Sequence, residues 1–189
     1  MQNKLEKNPQ KSVQIKNWPE KIRIFSGAQL KYLAFISMLI DHVNKALIYP
    51  NLDGSAGLQI ISDLFDILGR IAFPLFMFLL VEGYFKTRSR WKYLLYLLGF
   101  GVISEVPFDL FTTSQVFEPN WNNIMFTLAA VLITIWSIDT LREKMDRLPK
   151  LLWYLASVVI VAVMCFAAMN LGLDYEHHAI LIGYFMYIF

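Results

Sequence analysis

Five stretches of about twenty apolar residues, at 28–49, 60–85, 92–111, 122–141 and 150–169, divide this chain of 189 residues. Each is long enough to carry a helix across a hydrocarbon core of ~30 Å. A sixth stretch, 178–189, holds 12 residues, or about 18 Å of helix. It predicts a partial or re-entrant helix, or else a chain that lacks a C-terminal part. Inside lipid every backbone polar group must find a partner within the protein, which leaves helices or closed barrels. The expected fold class is therefore all-α: a polytopic integral membrane helical bundle of five full transmembrane helices plus a partial sixth. Composition agrees, with 57% hydrophobic and only 17% charged residues and a mean hydropathy of +0.47. That leaves too little polar surface for a soluble domain of this size. The single cysteine, Cys165, lies in an apolar run and cannot close an internal disulfide.

Charge placement predicts orientation. The segment 1–27 carries Lys4, Lys7, Lys11, Lys16, Lys21 and Arg23, and reads as a basic tail ahead of a transmembrane domain at 28–189. It has no early hydrophobic stretch, so the first membrane helix is expected to act as the insertion signal. Lys86, Arg88, Arg90 and Lys92 follow the second apolar stretch; Arg142, Lys144, Arg147 and Lys150 follow the fourth. With Lys31, fifteen of the 17 basic residues fall on one side, and the loops 50–59, 112–121 and 170–177 have none. The positive-inside rule then sets the tail and both basic loops on the cytoplasmic side of the membrane. These loops also suit anionic membrane lipids.

Orientation fixes depth for the residues that a membrane helix normally avoids. Asp41, His42 and Lys45, then Asp63, Asp66 and Arg70, then Glu105 and Asp109, all fall in the outer halves of the first three stretches. A charge at that depth costs a few kcal/mol and marks a functional candidate. Asp41 shares a helix face with Asn44 and Lys45 and can pair with the lysine, which leaves His42 to face a cavity. A neutral imidazole there can take a proton from an amine or hydroxyl. The plainer reading is a polar contact between helices. Asp66 and Arg70, four apart, suit an intrahelical ion pair; alternatively Arg70 is a fixed cation for an anionic group or oxyanion. Glu105 and Asp109, four apart around Pro107, repel each other, which points to proton handling unless they merely face outer water. Gly69, Pro74, Gly83, Gly99, Gly101 and Pro107 interrupt the second and third stretches. Asp139, near a helix end, reads as solvated. Asp174, Glu176, His177 and His178 are spaced too loosely to predict a metal site. No Walker motif, zinc-finger spacing or nucleophile elbow occurs, and nucleic-acid binding is not expected.

The stretches LKYLAFISMLIDHVNK (30–45), LGRIAFPLFMFLLVEGYFKTRSRWKYLLYLL (68–98), ISEVPFDLF (103–111) and NIMFTL (123–128) resemble the TraX family, the pilin-acetylation proteins of conjugation systems. The resemblance covers about 28–130. It implies a membrane acyltransferase that moves acetyl from acetyl-CoA to an acceptor such as a pilin N terminus or another cell-surface molecule. It implies a catalytic role for His42 as base or nucleophile, with Asp41, Asp66, Glu105 and Asp109 around it and Arg70 holding the thioester or oxyanion. The phosphates of acetyl-CoA would dock on Lys86, Arg88, Arg90 or Lys92, with Glu82 ordering the entrance. Two other classes remain open. A small proton- or ion-coupled transporter would show duplicated halves and charges spread through the bilayer. A non-catalytic membrane scaffold would tolerate loss of His42.

Overall fold

The computed structural model describes residues 25–145 and 149–189. The basic tail, apart from its last three residues, and Arg147 lie outside the described residues. Every regular element among the described residues is a helix: α1 Gly27–Val43, α2 Ala56–Arg70, α3 Ala72–Lys86, α4 Arg90–Thr112, α5 Ile124–Lys144, α6 Lys150–Asn170 and α7 Glu176–Ile188.

Local chemistry sets the boundaries. Ser26 caps α1 through a capping box: its hydroxyl accepts from the Gln29 amide at 3.2 Å, and its own amide donates to the Gln29 side chain at 2.7 Å. Ser89 caps α4 and Asn123 caps α5 more simply, each side chain accepting one backbone amide, from Lys92 and Met125. The second apolar stretch forms two helices that meet at Ile71. The cause is Pro74, which has no N–H to return to the Arg70 carbonyl one turn earlier. Among the described residues four spans are long and apolar enough to cross a membrane: Ala56–Lys86, Arg90–Thr112, Ile124–Lys144 and Lys150–Asn170. The α-helical part of the first stretch has only 17 residues. It approaches full length through a π-helical turn, Asn44–Ile48, and a 3-10 turn, Tyr49–Asn51. The last helix, with 13 residues, is short as expected. The protein is an all-α, multi-pass membrane bundle.

α5 is the central and most buried helix. Its stripe of Leu128, Val131, Leu132, Ile135 and Ile138 packs with Met77, Leu80 and Tyr84 of α3 and Ile180 of α7. A Cβ at Gly183 would collide with the Val131 side chain, so the missing side chain lets α7 lie against α5. α4 and α6 flank α5, while α1 packs on α2 and α3 away from it. The outer faces are apolar; α6 alone exposes Leu151, Leu155, Val158, Val159, Val163 and Phe166. In lipid such faces gain little by burial, so close packing and small residues hold the helices together. Ala34, Ser37 and Gly69 do this between α1 and α2, where the Ser37 hydroxyl donates to the Leu68 carbonyl at 2.5 Å. The bundle has a basic end, at the α3–α4 and α5–α6 turns, and an opposite polar end.

Candidate functional site

At the polar end α1 and α2 cross on Gly69. A Cβ there would sit 2.6 Å from Asp41 Cβ and 2.9 Å from its Oδ1. The glycine thus lets the Asp41 turn rest directly on α2. Lys45 Nζ stands 2.7 Å from Asp41 Oδ2, an ion pair within one helix. His42 turns the other way, about 100° around the helix. Its Nδ1 lies 2.8 Å from the Met38 carbonyl. A carbonyl only accepts, so Nδ1 carries a proton, and in the neutral ring the lone pair lies on Nε2. The ring packs 5.1 Å from that of Phe111 at the end of α4. The helix then loosens into its π turn; such turns gather at functional sites.

Asn44, the first residue of that turn, is 1% exposed. Its Nδ2 donates to the Ser62 carbonyl at 3.1 Å and to Asp66 Oδ1 at 3.3 Å. Asp66 Oδ2 lies 3.4 Å from Arg70. Both ion pairs anticipated from i,i+4 spacing are therefore present, and Asn44 ties the turn after α1 to the Asp66–Arg70 pair of α2. Asp63 instead accepts from Gln59 at 2.9 Å.

The turn between α6 and α7 adds Asp174 and Tyr175 to this end. Burial pushes the Asp174 carboxyl above the usual range, against the opposing pull of the Tyr175 amide, the Lys45 ammonium and Trp121. Burial also raises the Tyr175 phenol, helped by Asp174 and Asp41 and opposed by Arg70. Tyr175 stacks on Phe73 with centroids 3.9 Å apart. Tyr175 and Glu176 both have positive φ, 60° and 44°. Such backbone costs on the order of 1–3 kcal/mol per residue and persists only where the surroundings impose it. The imposing contacts are a short parallel bridge. The Asn122 amide donates to the Gly172 carbonyl at 2.8 Å, and the Asp174 amide to the Asn122 carbonyl at 3.2 Å. Gly172 has φ +58°, and a Cβ there would overlap the Asn120 carbonyl. Beside the bridge opens a recess of about 450 Å³ lined by Trp121, Asp174, Tyr175, Glu176 and His178. His177 and His178 stack on each other, and no trio of metal-ligating side chains converges among the described residues.

Glu105 and Asp109 go elsewhere. Glu105 accepts from both the amide and the side chain of Asn123. Asp109 accepts from the Glu118 amide at 2.9 Å. Both are buried, and each keeps one oxygen without a protein partner. They hold the α4–α5 turn, and no hydrogen bond or ion pair joins them to Asp41, His42, Asp66 or Arg70 among the described residues. The expected convergence of three spans is one of α1, α2 and the α6–α7 turn, with α4 contributing Phe111. The reason is the face they share with Gly101, which is packed against Phe126 of α5.

At the basic end Glu82 and Lys86 pair at 2.5 Å, while Arg88 and Lys92 are exposed. Arg90 is engaged with Asp139 at 2.6 Å. Asp139 is 6% exposed, not solvated as its place near a helix end had suggested. The available signal was its position one turn after Ile135 on the buried stripe of α5.

With this geometry in hand, the family model described as TraX protein matches residues 26–189. The chain belongs to the TraX family. A curated relative, "Probable fimbrial assembly protein FimC, serogroup H1" of Dichelobacter nodosus, is 37% identical over 118 residues, 59% of this chain. The match spans 46% of that protein, so this TraX-family chain covers about half of its relative's length. No solved structure matches.

Proposed function

We propose that this protein is a membrane-embedded acyltransferase that moves acetyl from cytoplasmic acetyl-CoA to an acceptor on the opposite side of a bacterial inner membrane. The acceptor we favour is a pilin N terminus; TraX membership and a relative named for fimbrial assembly support a pilus context. The basic turns and the positive-inside rule support a cytoplasmic N terminus.

The observation that carries the reading is the orientation of His42. Its Nδ1–H is spent on the Met38 carbonyl, so in the neutral ring Nε2 is the basic atom, one residue along the chain from the Asp41–Lys45 pair. In the proposed step the acceptor amine attacks the thioester carbonyl and His42 Nε2 takes the amine proton. The C–N bond forms, the C–S bond breaks, and the imidazolium returns the proton to the departing thiolate. Lys45 and Arg70, each paired with a carboxylate of its own helix, supply positive charge for the oxyanion. From Gly27 to His42 α1 rises about 22 Å, comparable to an extended pantetheine arm. That length suits a donor held at the basic end whose thioester reaches the histidine.

The test is to reconstitute the protein with acetyl-labelled acetyl-CoA and a pilin N-terminal peptide. Labelled peptide and free CoA are expected, with His42→Ala slower by about 10²–10⁴-fold and an unchanged unfolding temperature. Absence of both products from the unaltered protein, or full activity in His42→Ala, overturns the reading.

A further inference from the structure

The proposed reaction leaves one buried charged group unused, Asp139. Its Oδ2 accepts from Arg90 at 2.6 Å and from the Tyr84 hydroxyl at 2.7 Å, and its Oδ1 accepts from Tyr187 at 3.3 Å. The Arg90 guanidinium also lies 4.6 Å from the centroid of the Tyr84 ring. Arg90 is thus held from two directions with part of its fork of donors unspent. Three residues along α5, Arg142 lies beside the Tyr187 hydroxyl and 5.3 Å over the Trp153 ring. Stacking on an aromatic face positions a guanidinium without neutralising it. Arg142 makes no ion pair among the described residues. Among the described residues, two arginines and one ion-paired carboxylate therefore share one place, contributed by α3, α4, α5, α6 and α7. Planar guanidinium groups held by stacking and by one carboxylate suit phosphoryl oxygens, which accept two parallel hydrogen bonds from each fork.

We propose that Arg90 and Arg142, positioned by Asp139, Tyr84, Tyr187 and Trp153, bind a phosphate monoester at the basic end of the bundle. The occupant we assign is the nucleotide phosphate of the acyl donor, and that assignment rests on the acyltransferase reading. The same chemistry is offered by an anionic phospholipid headgroup. The convergence of five helices on one end of α5, with Arg142 open at its rim, favours the soluble ligand.

The full chain in phosphatidylcholine nanodiscs is titrated with adenosine 3′,5′-bisphosphate by calorimetry. Arg142→Gln should weaken binding by about tenfold or more, and Arg142→Lys by less, because lysine keeps the charge and loses the fork. Arg142 is exposed, so neither change should disturb folding. No binding by the unaltered protein, or equal binding by Arg142→Gln, overturns the proposal. Discs containing phosphatidylglycerol separate the two sources. Unchanged nucleotide affinity supports the nucleotide; competition that vanishes in Arg142→Gln overturns that assignment in favour of lipid. Acetyl transfer in the same discs separates this site from the reading above. Nucleotide binding that depends on Arg142, in a protein that transfers no acetyl, sinks the reading alone. Transfer with a KM for acetyl-CoA unaffected by Arg142→Gln sinks the site alone.

Discussion

The two ends of the bundle use charge in opposite ways. At the polar end each ion pair closes within one helix, and the cations stay open: Lys45 is 57% exposed and Arg70 is 81% exposed. At the basic end one carboxylate, 6% exposed, gathers donors from three other helices. Exposed pairs of the first kind are worth about 0–1 kcal/mol, so they hold nothing together and can rearrange around a substrate. Breaking a buried pair of the second kind costs several kcal/mol, because the remaining partner is stranded. The polar end thus carries charges that can move and the basic end a fixed geometry.

The sharpest way to break this comparison is to delete one carboxylate at each end. Asp139→Ala leaves Arg90 and two phenols without their acceptor and should lower stability by about 3 kcal/mol, read as unfolding in detergent micelles. Asp41→Asn removes only the exposed pair with Lys45 and should cost less than about 1 kcal/mol. Equal losses would show that the polar end is structural as well.

A smaller effect is expected where the two helices of the polar end touch. In Gly69→Ala the new methyl would meet Asp41 Cβ at 2.6 Å and Asp41 Cα at 3.1 Å. Backbone cannot swing aside as a flexible side chain can, so α1 must move, carrying His42 with it. A loss of about 1–3 kcal/mol is expected, together with slower acetyl transfer. Gly99→Ala on α4 is the control: nothing lies within 4 Å of a Cβ there. Helix propensity alone should make that change neutral or stabilising by up to about 1 kcal/mol. If both glycines tolerate alanine equally, the close crossing at Asp41 is not what positions the histidine.

What sequence could reveal follows the same division. Length and apolarity announce five apolar stretches and the short α7, because both are properties of one segment. Among the described residues four of the five form helices long enough to span, and the first is shortened by its π and 3-10 turns. The pairs Asp41–Lys45, Asp66–Arg70 and Glu82–Lys86 are equally local, since four-residue spacing suffices to form them. Glu105 and Asp109 mark the limit. Spacing puts them on one face of α4, but only the packing of Phe126 against Gly101 decides that this face turns to α5. Asp139 meets Tyr84, Arg90 and Tyr187 across separations of 48 to 55 residues, and no local pattern encodes those contacts. The approach of Asp174 and Tyr175 to Asp41 is hidden for the same reason. It depends on the bridge between Asn122 and Leu173, which joins two turns far apart in the chain.

The smallest expected effect is also the one that tests whether the polar end responds to pH. Burial holds the Asp174 carboxyl above its ordinary range, and the Tyr175 amide, Lys45 and Trp121 only partly oppose it. The folded chain therefore binds this proton more tightly than the unfolded chain does. The resulting stabilisation is fully present below the ordinary carboxylate pKa, near 4, and is lost as pH rises through the raised folded value. Asparagine cannot titrate. The melting temperature of the unaltered protein minus that of Asp174→Asn should therefore fall as pH rises from about 4 toward neutrality. The opposite slope would mean that the Lys45 ammonium outweighs burial, making Asp174 a charged member of the cluster throughout. In that case its carboxylate would compete with Asp41 for Lys45, and the polar end would be fixed by a tertiary ion pair as the basic end is.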